Sequence, residues 1–530
     1  MNTEIDKVDI FLVGYEEQEN LGLRSIMAVL AEKGFSSVLK PFQPGFYDTV
    51  LRDIQIYNPK IVGFSIIFQY SIDDFRNLMS YLRSKGVTAH FTAGGHFPSL
   101  RPREVLELCS QLDSVVRFEG EQTTIELLEK LTSPEEWHSI LGLAFRCDGK
   151  SIINTPRPLI KNLDELPFLV RNKPRSAGRG ILMGSMLASR GCVFNCAFCS
   201  IRQFYEGAGG TLRRARSPKL VVKEMHELFE HDGVRFFSFQ DDDFAARSNA
   251  QRRWLREFLD ELDRTGLTED VGWKISCRVD DIEIEIITDC IQHGLMFVYL
   301  GVESGNPKGL RTLNKHVTVE QNRNAIHILK ECGVAFDMGF MLFDPASTFQ
   351  TVRENIAFLR EIASDGSSPV IFCKMLPYAG TPIEAELNNT GRLKGTLCQP
   401  DYRFLDVRLD LYANFVLETF EQRNFRHFGL VERLRGALFD QALARRFENP
   451  PWVDNYEKGL RNITKKANKL ALKTLDKGLD FAENRTSYEM LNDWKDLKEL
   501  NDWERRCEKS LHAELDRLLR EYSPNLIAVA

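Results

Sequence analysis

Three thiols, Cys192, Cys196 and Cys199, stand within eight residues in the string ASRGCVFNCAFCS. Thiolates bind soft metals, and spacing this close on a loop lets three of them converge on one centre. A structural zinc site wants four ligands, usually as two C-x2-C pairs, and no second pair stands nearby. Three cysteines on a four-iron cluster would instead leave one iron open to an outside ligand. The other eight of the eleven cysteines are scattered singly, as reduced buried thiols are, and do not outline a secreted disulfide framework.

Charges stand farther along, where strands should end. Asp241, Asp242 and Asp243 close FSFQDDDF, Arg278 lies in SCRVDDIE, and Glu303 lies in LGVESG. Carboxylates at a strand end suit a cationic amine, and a charge inside an apolar strand must be paired or line a cavity. Arg213, Arg214, Arg216 and Lys219 form a basic run that reads as a solvated face.

The elements around these groups read as α/β. Short apolar runs such as VDIFLV (8–13) and IVGFSII (61–67) alternate with amphipathic stretches over the first 135 residues. That pattern implies a parallel, doubly wound, Rossmann-like sheet, whose ligands sit at the carboxyl ends of its strands. We take 1–150 as this domain and the proline-bearing 151–180 as a linker. From 181 to 385 strand and helix alternate again, with six candidate parallel strands, a full or partial barrel whose working groups lie on the loops after the strands. From 386 to 530 the pattern is helical, ending in Leu491, Trp494, Leu497, Leu511, Leu515 and Leu518 on one face of a packed cap.

Lys and Arg number 69 against 75 Asp and Glu, a net charge of −6. That balance argues against nucleic acid or a membrane surface as the main partner. No run of 18 apolar residues and no signal-peptide pattern appears, so a cytoplasmic protein is expected.

CVFNCAFC, with Phe198 just before the last cysteine, resembles the signature of the radical S-adenosylmethionine (SAM) superfamily. The resemblance implies a partial (β/α)6 barrel and a [4Fe-4S] cluster on Cys192, Cys196 and Cys199, whose open iron chelates SAM. One electron then cleaves SAM to a 5′-deoxyadenosyl radical. It further implies SAM contacts from Phe198, from Asp241, Asp242 or Asp243 to the ammonium group, from Arg278 to the carboxylate, and from Glu303. PYAGTPI (377–383) resembles the barrel's closing turn. Where relatives have Gly-Pro before Glu-Thr, this chain has Phe343-Asp344-Pro345 and Ser347-Thr348, so substrate class is not carried over.

The front sheet resembles cobalamin-binding domains. Gly22, then 42 residues, Ser65-Ile66-Ile67, then 26 residues, and Gly94-Gly95 repeat that family's spacing. Small residues are needed where backbone approaches the cofactor's nucleotide tail. The family's first-loop D-x-H-x-x-G is only partly present: Glu19 stands at the histidine position and Glu17 at the aspartate position. Cobalamin should therefore bind without a protein histidine on cobalt, with Glu19, Gly22, Ser65, Ile67, Gly94, Gly95 and His96 around it. His96 is expected to line the corrin pocket or to pack.

Together these resemblances imply a cobalamin-dependent radical SAM enzyme that methylates an unactivated carbon of a small natural-product intermediate. They imply an external one-electron reductant of flavodoxin or ferredoxin type. A rearrangement such as ring contraction or cyclisation is the alternative, and a non-catalytic iron-sulfur electron carrier a remote one. No residue is singled out as catalytic.

Overall fold

The computed structural model describes residues 7–244 and 246–526. The chain forms two compact units. One runs to Lys173 and includes Leu187–Leu220 and Pro377–Asp401; the other comprises Pro174–Met186, Val221–Leu376 and the chain from Tyr402 on.

The first unit is built on β1 (Ile10–Gly14), β2 (Ser37–Pro41), β3 (Ile61–Ser65), β4 (His90–Gly94), β5 (Ser114–Val116), β6 (Leu143–Cys147) and β7 (Lys150–Ile153). Their order is β2-β1-β3-β4-β5-β6-β7, with β1 to β5 parallel and the last two antiparallel. The central strands are nearly all apolar because helices cover both faces. Successive residues of β1 serve opposite cores: Phe11 and Val13 pack with Phe64, Phe75 and Phe91, while Ile10 and Leu12 pack with Leu30 and Leu128. Strand order reverses between β1 and β3, so a crevice opens beyond their carboxyl ends, the usual ligand position in such sheets.

In the second unit, six parallel strands follow one another: Ile181–Met186, Val234–Phe239, Gly272–Arg278, Leu295–Glu303, Ala335–Phe343 and Cys373–Lys374. The sheet does not close, which makes it a half-barrel. Alternate side chains face opposite ways. Trp273 packs outward on Phe258 of helix Asn249–Thr265, while Lys274 and Ser276, of the other parity, are partly open. Helix Leu430–Leu443 lies over the amino-terminal halves of the strands. Its Phe439 meets Phe236 at 5.0 Å and Phe297 at 5.9 Å between ring centroids, its Leu443 joins Ile181 and Met296, and its Arg435 pairs with Asp337. The carboxyl ends, where barrels keep their working groups, stay uncovered by this helix.

Two expectations need amendment. The stretch 151–180 contains most of β7 and an antiparallel edge strand, Arg175–Gly178. Edge strands bond on one side only and need little apolar periodicity, which hid them. In the terminal cap Leu497, Leu511 and Leu515 are buried against helix Val453–Glu483 or its neighbours, but Leu491 is 61% exposed because it falls on the short helix Ser487–Asn492 before the turn. Among the described residues, no helix is long and apolar enough to cross a membrane.

If helix Leu430–Leu443 is the plug of the half-barrel, Phe439→Ala should cost about 3 kcal/mol of stability. Urea unfolding followed by tryptophan fluorescence checks this, and an unchanged midpoint would contradict the packing argument.

Candidate active site

At the β1/β3 crevice the backbone is held by close approach. A Cβ on Gly14 would lie 2.9 Å from Leu23 Cδ1 and 3.2 Å from Ser65 Cβ. Asn20 caps helix Leu21–Glu32 by accepting from Leu23 N at 3.2 Å, and its Nδ2 donates to Ser65 Oγ at 3.1 Å. Ser65 thus braces the first loop. Gly95, at φ +115°, has the Ile66 carbonyl where a side chain would start, so only glycine fits. Gly22 and Gly94 differ: added Cβ atoms would find nothing nearer than Asn20 Oδ1 at 3.7 Å and Val116 O at 3.4 Å. Beyond Ser65 the loop leaves Ile67 40% exposed, followed by Phe68 and Tyr70 stacked at 5.3 Å.

Glu19 is engaged. Its carboxylate lies 3.3 Å from Arg171 Nη1 and 3.9 Å from Arg24 Nε, and Arg24 is fastened to Glu16 at 2.6 Å. His96 turns toward the segment after the cysteines. Its ring stacks on Phe204 at 4.3 Å and 8°, with Nδ1 3.4 Å from Ser200 Oγ. Burial pushes its pKa down to about 4, so it is neutral.

The cysteine loop joins Ser189–Arg190 to helix Ile201–Ala208. Ser189–Arg190 pairs with Arg214–Ala215 as a short antiparallel ribbon, and any Cβ on Gly191, at φ +86°, would collide with the Leu212 carbonyl oxygen. Cys196 is buried, Cys192, Phe198 and Cys199 are half-buried, and all three thiols are free of disulfides. Arg202 Nη1 donates to Val193 O at 2.7 Å, and Ile383 N, from the PYAGTPI turn, donates to Ala197 O at 3.1 Å.

Below the loop, Arg190 pairs with Glu119 at 3.1 Å and Glu121 at 2.7 Å, and Glu121 also accepts from Ser25. Burial alone would raise the Glu121 pKa, but the Arg190 charge and hydrogen bond outweigh it and leave it lowered. Arg214 shares Glu119 at 3.0 Å. The basic run is therefore no solvated face at its centre: Arg214 and Arg216 are buried, and only Lys219 is exposed. Neither this network nor the His96–Phe204 stack was legible in the sequence. The nearest signal was the FEGE string (118–121) at the end of β5.

In the second unit, Asp241 and Asp243 are buried and Asp242 is exposed. Asp243 bonds Arg247 at 2.6 Å, and Arg247 bonds Asp281 at 2.6 Å. Arg278 Nε donates to Asp280 at 2.8 Å and its Nη2 to the Lys315 carbonyl at 2.6 Å. Arg278 and Asp243 thus have protein partners on the neighbouring turn. Glu303, at φ +66°, lies 3.1 Å from Lys315 Nζ. The FDPAST loop is a self-satisfied turn: Asp344 N donates to Ser347 Oγ, Ala346 N to Asp344 Oδ1, and Thr348 caps helix Phe349–Ala363.

Residues 8–128 match the B12 binding domain family and residues 186–359 the radical SAM superfamily. The chain belongs to the cobalamin-dependent radical SAM enzymes. It is 28% identical over 340 residues to "Uncharacterized methyltransferase PH0819" of Pyrococcus horikoshii, covering 64% of this chain and 71% of that one. To the "Anaerobic magnesium-protoporphyrin IX monomethyl ester cyclase" of Cereibacter sphaeroides it is 28% identical over 306 residues, 56% of this chain but only 48% of the cyclase. A solved structure of the cobalamin-dependent SAM radical enzyme OxsB, with aqua-cobalamin and SAM bound, has the same fold at TM-score 0.69, 16% identity and coverage of 98% and 81%.

The radical SAM enzyme's own residues fit these cofactors. Three disulfide-free thiols on one glycine-pinned loop are the donor set of a [4Fe-4S] cluster. Among the described residues no three His, Cys, Asp or Glu side chains gather around a single-ion position; a four-iron cluster places each thiolate on a different iron and needs no such point. At Gly22 and Gly94 a Cβ would meet only ordinary van der Waals contacts, so the protein's own packing does not demand glycine there, and small residues suit the approach of a nucleotide tail.

Cys196→Ala in the anaerobically reconstituted radical SAM enzyme should lose the cluster and all reductive SAM cleavage, whereas Cys277→Ala should keep both. Iron content and 5′-deoxyadenosine yield measure it. Because the folded His96 pKa lies below the ordinary 6.5, its contribution to stability is complete above that value and is lost as pH falls toward 4. From about pH 7.5 to about pH 5.5 His96 should take roughly 1.3 kcal/mol from the first unfolding transition and buried His90, its pKa likewise pushed down to about 4, a similar amount, so His96→Phe should lose about half as much as wild type.

Proposed function

We propose that this enzyme methylates an unactivated carbon of a small natural-product intermediate. The observation that carries the reading is the bracing of the cysteine loop against the cobalamin-type sheet by Arg190–Glu119 and His96–Phe204. When bound, the cluster supplies the electron that cleaves SAM, and cobalamin serves as carrier of the methyl group. In this reading Cys192, Cys196 and Cys199 hold the cluster, with Phe198 beside SAM. Asp241, Asp242 and Glu303 meet SAM's polar groups, while Arg278 and Asp243 hold the turn that presents them. The β1/β3 crevice, with Ser65, Ile67 and the three glycines 22, 94 and 95, takes cobalamin. Glu19, tied to Arg171, blocks the place of a ligating histidine. A flavodoxin or ferredoxin type protein delivers electrons, nucleic acid plays no part, and the enzyme works in the cytoplasm.

A second reading is supported by the cyclase relative: radical ring formation without methyl transfer. Stoichiometry separates them. With substrate and SAM bearing a deuterated methyl group, methylation should give labelled product with S-adenosylhomocysteine and 5′-deoxyadenosine in near-equal amounts. Product without the label, alongside 5′-deoxyadenosine alone, would establish the cyclisation reading instead.

A further inference from the structure

The open face of the half-barrel carries two polar groups that the protein leaves unsatisfied. Lys274 and Tyr299 stand on adjacent strands, where Lys274 pairs in register with Phe297 and Ser276 with Tyr299. Among the described residues, Lys274 Nζ has no hydrogen bond and no ion-pair partner, and the Tyr299 hydroxyl has no hydrogen bond. Asp337, which faces Tyr299 in register, is taken by Arg435. Glu303, next along, is taken by Lys315.

Among the described residues, the pairs Arg435–Asp337 and Lys315–Glu303 leave Lys274 without a carboxylate of its own. The surplus charge is on Lys274. Burial and the neighbouring Arg435 lower its pKa, with Asp337 opposing. An ammonium in such surroundings lacks the pairing that normally offsets lost hydration.

Two glycines let these side chains lie close over the sheet. A Cβ on Gly339 would lie 2.8 Å from the Tyr299 hydroxyl, and one on Gly301 would lie 2.8 Å from Lys315 Nζ and 2.9 Å from Glu303 Oε1. Tyr299 remains 39% exposed in the middle of a strand.

We propose that Lys274 and Tyr299 form an oxyanion-binding floor, which takes a carboxylate or phosphate group of the substrate between ammonium and phenol. This rests on the reading of the half-barrel's open face as the substrate side, and it assigns the substrate class as anionic. Lysine supplies the point charge and tyrosine a directed donor.

The test is lysine labelling of the anaerobically reconstituted holoenzyme with pyridoxal 5′-phosphate, an aldehyde that itself carries a phosphate. The lysine nitrogen adds to the aldehyde carbon, water leaves, and cyanoborohydride hydride fixes the C=N bond as an amine. Peptide mapping should find label on Lys274, absent in Lys274→Met. Phenyl phosphate or phenylacetate should abolish it, and neutral phenylacetamide should not; the more effective anion identifies the oxyanion. An unlabelled Lys274 beside modified, exposed Lys33 and Lys498, or equal protection by the amide, would overturn the proposal. Labelling requires no SAM cleavage, so failure of the radical reading and failure of this floor are separate results.

Discussion

Arg190 is the joint on which the cysteine loop hangs. It reaches Glu119 and Glu121 at the end of β5, and Arg214 shares Glu119 from the other strand of the ribbon. Two carboxylates and two arginines balance inside one buried network, and removing a single partner from such a network leaves an uncompensated charge costing about 3–5 kcal/mol. Gly191 follows at once, pressed onto the Leu212 carbonyl. The path of the chain into Cys192 is therefore set by an ion-pair network and a steric limit together. Reactions shared between two bound groups need them held at fixed separation, and this joint ties the cysteine loop to the sheet that forms the β1/β3 crevice.

The legible parts of the site were those whose signal is local. Three thiols in eight residues, apolar strands of parallel type, and glycines at fixed distances are all properties of short stretches. The half-barrel's six strands and the helical end were visible for the same reason. What stayed hidden depends on partners far apart in the chain. Glu19 meets Arg171, 152 residues on, so its role as an ion-pair partner could not be read beside Gly22. The basic run looked solvated because its acceptor, Glu119, is 95 residues upstream of Arg214. Arg278 and Asp243 present the opposite difficulty: their partners Asp280 and Arg247 are near neighbours, and only geometry shows which of several charges pair. Helix Leu430–Leu443 was expected as part of a cap, but periodicity does not say which hole an apolar stripe fills.

Electrostatics then divides the half-barrel along its strands. Toward the amino ends, Lys274 and Arg435 outnumber Asp337. Beyond the carboxyl ends the balance reverses: Asp243, Asp280 and Asp281 face two arginines, Arg247 and Arg278. Burial and the Asp243 charge push Asp281 up to about 7 in spite of Arg247, the mark of a network with more carboxylate than cation. Such a surplus favours a cationic ligand at that end. SAM, with a sulfonium and an ammonium, has that character, and an anionic substrate suits the floor of the open face around Lys274 and Tyr299. Two ligands of unlike charge on one sheet would each be repelled from the other's place. Their order along the strands then follows from the charge pattern rather than from shape alone.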